Sequence, residues 1–128
     1  MSFTYTVKTQ KSIDNVITDL TDNLKEIGFG VLETLDFKKI LLEKGLEFAN
    51  DYKLIEVCNP HLAKQVLEAN PDLGLLLPCT IAVYQKDDGN FISLARPTSL
   101  LSMISDNNLK ISGEDIEKGL IRIIENTK

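Results

Sequence analysis

Three residues with metal-binding or thiol chemistry lie in two short motifs of this 128-residue sequence. Cys58 directly precedes Asn59-Pro60, and His61 follows them, so Cys58 and His61 have the Cys-x-x-His spacing of one half of a zinc site. Cys79 is the second cysteine, and together the three predict a Cys₂His metal site with an open fourth position. The second half of that site would be a lone cysteine. A reversible disulfide between Cys58 and Cys79 is therefore an alternative, although no Cys-x-x-Cys motif supports it.

The simplest interpretation of both cysteines is structural, because free cysteines are among the most buried residues and pack as small hydrophobic groups. In the same way, a lone histidine such as His61 near a helix start is more often a surface or capping residue than a ligand. Cys58 has one special feature. It precedes a predicted helix N-terminus, where aligned backbone N–H groups favour a thiolate and a lowered thiol pKa. We prefer the structural role, then a metal or cofactor role, then thiol redox chemistry.

Arg96 precedes Pro97 at the end of a predicted strand, where a guanidinium can bind a carboxylate or phosphate. We regard Arg96 as a candidate anion-binding residue, with a surface salt bridge as the commoner alternative. The sequence has no Gly-x-Ser-x-Gly elbow, phosphate-binding loop, dinucleotide-binding fingerprint or His-Glu-x-x-His helix. It identifies no catalytic residue, substrate, small ligand or cofactor, and leaves open whether the chain is an enzyme.

The size and net charge of the chain limit which domain organisation and which partners can be expected. A chain of 128 residues predicts a single domain over 1–128, and a net charge of -5 makes nucleic acid an unlikely partner because phosphates are bound by clustered Lys and Arg. No stretch approaches 18 consecutive apolar residues, and the N-terminus lacks the pattern of a signal peptide. We therefore expect a cytoplasmic protein without membrane contact, whose two cysteines are reduced thiols.

The elements that would position these residues follow from periodicity. Alternating apolar residues predict strands, apolar residues at helical spacing predict helices, and Gly, Pro and capping residues mark the boundaries. Ser112 and Asp115 have capping-box spacing and predict the start of a C-terminal helix. Asp88-Gly89 predicts a hairpin with a loop of about four residues. In chain order, the predicted strands are 3–8, 30–35, 52–58, 80–85 and 91–95. The predicted helices are 13–27 after Ser12, 37–45 after Asp36, 60–70, 97–104 and one from 112 onward, with an apolar loop over 74–77.

This order predicts an α+β fold with a mostly antiparallel sheet of about five strands and helices packed on one side. The second face of such a sheet must be solvated or covered. Its strands carry apolar residues on both faces, as with Ile81 and Val83 on one and Ala82 and Tyr84 on the other. The pattern favours a covered second face, and hence a homodimer or a ligand groove.

Several short motifs follow one another along the chain. They are Gly28-Phe29-Gly30-Val31-Leu32, Glu56-Val57-Cys58-Asn59-Pro60 with Ala63 after it, Gly74 with Leu77-Pro78-Cys79, Val83-Tyr84 and Pro97-Thr98. Together they resemble a known family, the prokaryotic domain of unknown function 302, and the resemblance covers nearly the whole chain. It implies an α+β domain similar in fold to the TATA-binding-protein-like class, pairing as homodimers, with no established activity. The DNA-binding role of that fold's namesake does not carry over, because function depends on the site and not on the fold.

Overall fold

The computed structural model describes residues 2–77, 79–104 and 107–128, without the side chains of 107–111. The predicted order of strands and helices is confirmed. A 3₁₀ turn, Lys25–Ile27, continues the first helix, and a second, Pro71–Leu76, follows the third. The elements are β1 (Thr4–Thr9), α1 (Ile13–Leu24), β2 (Gly30–Asp36), α2 (Phe37–Glu43), β3 (Tyr52–Cys58), α3 (Pro60–Ala69), β4 (Cys79–Lys86), β5 (Gly89–Ala95), α4 (Pro97–Leu101) and α5 (Asn107–Thr127).

The strands form one five-stranded sheet in the order β1-β5-β4-β3-β2. Every neighbouring pair is antiparallel, which confirms the predicted α+β class. β4 and β5 form the central hairpin, β1 joins the outer side of β5, and β2 forms the opposite edge. A bulge between Val31 and Glu33 shifts the register of this edge strand.

One face of the sheet forms the core with α1 and α5. On β3 and β4, Ile55 and Ile81 lie directly opposite each other, and both are fully buried. α1 contributes Leu20, and α5 contributes Leu120 and Ile124, each without solvent exposure. Complete burial of such side chains is the main favourable contribution to folding, at about 1.5–3 kcal/mol each.

The alternate residues of the same strands form the second face, which is half-exposed. Tyr52, Tyr84 and Phe91 occupy one row across β3, β4 and β5. Their rings are stacked, with centroids 5.5 Å apart for the first pair and 5.7 Å for the second. Phe37, at the start of α2, lies edge-on to Tyr52 at 6.0 Å. This face is therefore more apolar than a solvated sheet surface needs to be.

Side-chain caps explain where three helices begin. Ser12 accepts a hydrogen bond from the Asn15 N–H, and Asp36 accepts one from the Lys39 N–H. Asn59 caps α3 by accepting from the His61 and Leu62 N–H groups. Each cap pairs a donor that the helix itself leaves unsatisfied.

Three local predictions were wrong. α5 begins at Asn107, so Ser112 lies inside the helix and does not cap it. The hairpin loop is two residues long, because Lys86 pairs with Gly89, and Asp87 adopts a left-handed φ of 55° that aspartate tolerates. The apolar segment predicted as a loop over 74–77 is mostly part of the 3₁₀ turn Pro71–Leu76. Pro78 lies outside the described residues.

Candidate functional site

The two cysteines lie on neighbouring strands but point to opposite faces of the sheet. Cys79 pairs with Val57 in the β3–β4 register and packs against the core. Cys58 is the next residue on β3, and its side chain projects to the second face because successive strand residues alternate. Both thiols are free. The two strands are neighbours, as contact between the thiols would require, but the pleat directs the two side chains to opposite faces.

The pKa of each thiol lies above the ordinary value for cysteine. Burial raises the pKa of Cys58. Burial, with a smaller contribution from the charge of Cys58, raises the pKa of Cys79 to about 11. The lowered pKa expected for Cys58 is not observed. Burial is the cause, and the N–H groups of His61 and Leu62 in the first turn of α3 donate to the Asn59 side-chain oxygen.

His61 is exposed on the first turn of α3, where its backbone N–H donates to Asn59 Oδ1 at 3.1 Å. Among the described residues, no three His, Cys, Asp or Glu side chains are grouped so that they could hold a metal ion. The Cys₂His set of Cys58, His61 and Cys79 is therefore not assembled in this part of the chain.

Arg96 is engaged inside the molecule. Its Nε and Nη2 donate to Oε2 of Glu117, each at 3.2 Å, and its Nη1 donates to the Ser2 carbonyl at 3.2 Å. The second carboxylate oxygen, Oε1, accepts from the Thr98 N–H at 3.0 Å and from the Thr98 hydroxyl at 2.7 Å. Glu117 therefore joins α5 to the end of β5 and to the start of α4, and it is the anion that Arg96 binds here.

The Glu117 side chain is only 10% exposed, and the pKa of its carboxyl lies below the usual value. Burial alone would raise this pKa, but the hydrogen bonds from Thr98 and the charge and hydrogen bonds of Arg96 outweigh it. Sequence reasoning missed Glu117, which occupies a helix otherwise rich in exposed charges. Its position on the buried side of α5, three residues before Leu120 and seven before Ile124, is the available signal.

An apolar cavity lies on the helical side of the sheet, at the end where β4 begins. Its volume is about 50 Å³, and its walls come from α3, the 3₁₀ turn Pro71–Leu76, β4, the end of β5, α4 and α5. Cys79 forms part of the wall, together with leucines such as Leu62 and Leu100. None of the described residues that line it is charged. The leucine-rich segment 73–77 supplies part of the lining and is the sequence signal for this cavity, although its pattern predicts only an apolar loop.

The second face of the sheet is the other candidate surface, and charges flank its aromatic row. Lys8, on β1, pairs with Phe91. Glu33 and Glu56 lie directly opposite each other on β2 and β3. Large apolar side chains are also exposed around the β2 end of the molecule. They are Leu32, Leu42, Leu46 and Phe48, which are 41% to 65% exposed.

Within the described ranges, none of the helices combines the length and hydropathy that a membrane crossing requires.

No curated protein matches the chain. The crystal structure of an uncharacterized conserved DUF302 protein from Bacillus stearothermophilus is 38% identical, with a TM-score of 0.93 and 100% of both chains covered. The sequence profile of the family described as "Domain of unknown function DUF302" matches residues 5–127. The resemblance predicted from the short motifs is thus confirmed, and the chain belongs to the DUF302 family.

Proposed function

We propose that this protein is a cytoplasmic, homodimeric binding module that pairs through the second face of its sheet. The observation that carries this proposal is the half-exposed apolar row of Tyr52, Tyr84 and Phe91. The alternate residues of the same strands, such as Ile81 and Ile92, are fully buried in the core on the opposite face. An apolar face of this kind on a folded chain marks an interaction surface.

The charges on this face favour a second copy of the chain as the partner. Glu33 and Glu56 are directly opposite each other, and like charges in that position destabilise a sheet. Neither carboxylate forms an ion pair with any described residue. A cation supplied by the partner would relieve their repulsion.

Lys8 is that cation. Lys8 lies on β1, at one edge of the sheet, in the same cross-strand row as Tyr52. Glu56 lies on β3, four residues beyond Tyr52, and is therefore displaced along the strands from the row of Lys8. Lys8 and the glutamate pair thus occupy diagonally opposed corners of the face. A two-fold axis parallel to the sheet and at right angles to this diagonal places Lys8 of each copy over Glu33 and Glu56 of the other. Such an isologous contact is the commonest arrangement in soluble oligomers.

Sedimentation equilibrium at micromolar concentration tests the homodimer. We expect the wild-type chain to dimerise and Phe91→Lys to weaken the dimer by more than about tenfold, because it replaces an aromatic ring of the apolar row with a charge. Leu75→Lys is the matched control, since Leu75 is 86% exposed on the 3₁₀ turn after α3. It should leave the dimer intact. A monomeric wild-type chain would overturn the proposal.

Charge reversal tests the orientation. Lys8→Glu and Glu33→Lys should each weaken the dimer, whereas the double variant should regain most of the lost affinity because the two charges exchange corners. Equal losses in both single variants without recovery in the double variant would leave the face as an interface but rule out this two-fold arrangement.

A thiol or metal function is the second candidate, supported by the position of Cys58 and Cys79 on neighbouring strands. The raised pKa of each thiol weighs against it. Zinc titration and thiol counting after anaerobic purification test it. Zinc bound in stoichiometric amount, or a disulfide that forms in air and is broken again by a reductant, would favour this candidate over a module without redox or metal chemistry.

A further inference from the structure

We propose that the apolar cavity beside Cys79 is a binding site for the end of an unbranched aliphatic chain carried by a small molecule. The cavity lies on the helical side of the sheet, away from the face proposed for pairing, so this inference does not depend on the dimer.

The chemistry of the walls selects an apolar occupant. The lining is built from leucines, Val66, Pro97 and Ile116, and the polar side-chain groups of its described residues are the Ser112 hydroxyl and the Cys79 thiol. A water molecule in a cavity needs two to four polar partners, and apolar cavities remain dry. Hydrocarbon therefore gains from entering this space, whereas water and charged groups do not.

The size of the cavity selects the shape of the occupant. Its 50 Å³ accommodates about four water-sized groups at roughly 10–15 Å³ each. A benzene ring occupies an engineered cavity of about 150 Å³ in another protein, so a ring is too large for this one. A linear chain end of about four carbons fits, because its groups enter in single file.

The surroundings accommodate the rest of such a molecule. Leu67 and Leu75 belong to the two elements, α3 and the 3₁₀ turn, that form one wall, and they are 45% and 86% exposed. Met103, which follows α4, is 77% exposed. These exposed apolar side chains belong to the segments that line the cavity, so a chain longer than the cavity finds further apolar contacts outside it.

The two cysteines provide a reporter and an internal control. Cys79 lines the cavity, whereas Cys58 lies on the opposite face of the sheet. An occupant must therefore shield Cys79 from a small thiol reagent and leave Cys58 unchanged. Mass spectrometry after labelling with methyl methanethiosulfonate at pH 9 measures both rates in the same sample.

Three alcohols distinguish the shape and polarity of the occupant. 1-Hexanol has a linear apolar end, cyclohexanol carries the same number of carbons in a ring, and 1,6-hexanediol has no apolar end. At a concentration of about ten times Kd, we expect 1-hexanol to slow labelling of Cys79 by about tenfold. Cyclohexanol and 1,6-hexanediol at the same concentration should slow it far less.

A pair of variants tests the location. Leu62→Phe enlarges a lining side chain and should abolish the protection by 1-hexanol, whereas Leu42→Phe makes the same change on α2, outside the lining, and should retain it. Equal protection by 1-hexanol and cyclohexanol in the wild-type chain, or slowing of Cys58 together with Cys79, would overturn the proposal. This comparison needs no variant, so it stands even where Leu62→Phe fails to fold.

Discussion

The Glu117 carboxylate accepts hydrogen bonds from both Nε and Nη2 of Arg96, each 3.2 Å long. The Arg96 and Glu117 side chains are 23% and 10% exposed, so this ion pair is largely removed from solvent. The other carboxylate oxygen of Glu117 accepts two hydrogen bonds from Thr98, in the first turn of α4. One side chain of α5 thus holds the end of β5 and the start of α4, and both of these segments line the apolar cavity.

Replacement of Glu117 by alanine should strongly destabilise the fold. The change leaves the Arg96 guanidinium without its carboxylate in a partly buried position, and the free energy of unfolding should fall by about 3 kcal/mol. Glu68→Ala is the control, because Glu68 forms an exposed ion pair with Lys64 on α3 and its loss should change stability by less than about 0.5 kcal/mol. Urea unfolding of both variants measures the difference. Equal effects would show that the Glu117 pair adds no more than a surface pair.

The stabilisation by Glu117 should depend on pH. Its pKa is lower in the folded chain than the ordinary value of 4.5, so the folded state favours the charged carboxylate. The contribution is therefore fully present above about pH 5 and is lost as pH falls through the folded pKa. Because Glu117→Gln lacks this titration, the difference in unfolding free energy between wild type and variant should be constant near pH 7 and shrink below about pH 4.5. A difference that grows on acidification would contradict the assigned direction.

Local patterns predicted most of the fold. The helix that starts after Ser12 and the one that starts after Asn59 follow from a cap, a first-turn sequence and apolar spacing, all of which are local. The predicted cap at Ser112 was wrong because its spacing to Asp115 matches a capping box, whereas the helix begins five residues earlier, at Asn107. A side chain can cap only when its own backbone lies outside the helix, and this condition is set by the preceding chain.

The site was less predictable because it depends on contacts between distant segments. The sequence identified Cys58, Cys79 and Arg96, but the pleat places the two thiols on opposite faces, and the guanidinium meets a residue 21 positions away. The strands could be predicted from periodicity, and the β4–β5 hairpin from the turn at Asp88-Gly89. The register that decides which side chains share a face could not, because a shift of one residue reverses every orientation.

The two thiols should react at different rates. A rise in the pKa of Cys79 from 9.0 to about 11 reduces its thiolate fraction at pH 8 by about 100-fold, and the thiolate is the reactive form. Cys58 is less buried and should react faster. Iodoacetamide labelling of Cys58→Ser and Cys79→Ser, each with one remaining thiol, measures the two rates. A Cys79 rate equal to that of free cysteine would show that its sulfur is not buried and that its pKa is not raised.

The cap of α3 should contribute measurably to stability. Asn59→Ala removes the acceptor of the His61 and Leu62 N–H groups and should lower the free energy of unfolding by about 1 kcal/mol. Because those N–H groups then become available, the same substitution should also lower the pKa of Cys58, which thiol reaction rates between pH 7 and pH 10 would show. An unchanged rate profile would mean that the first turn of α3 does not face the Cys58 sulfur.

Gly28 and Gly30, two residues apart, should respond in opposite ways to alanine. Gly28 has a left-handed φ of 77° at the end of the first 3₁₀ turn, and a Cβ there would lie 3.4 Å from Asn59 Nδ2. Gly28→Ala should therefore cost about 1–2 kcal/mol, because an L side chain is strained in this conformation. Gly30 begins β2 with nothing within 4 Å of its added Cβ, and alanine there should be neutral or should stabilise by up to about 1 kcal/mol through the unfolded state. Thermal unfolding of the two variants measures both effects. A lower Tm for Gly30→Ala than for Gly28→Ala would contradict this prediction. It would mean that the left-handed backbone conformation does not require glycine at position 28.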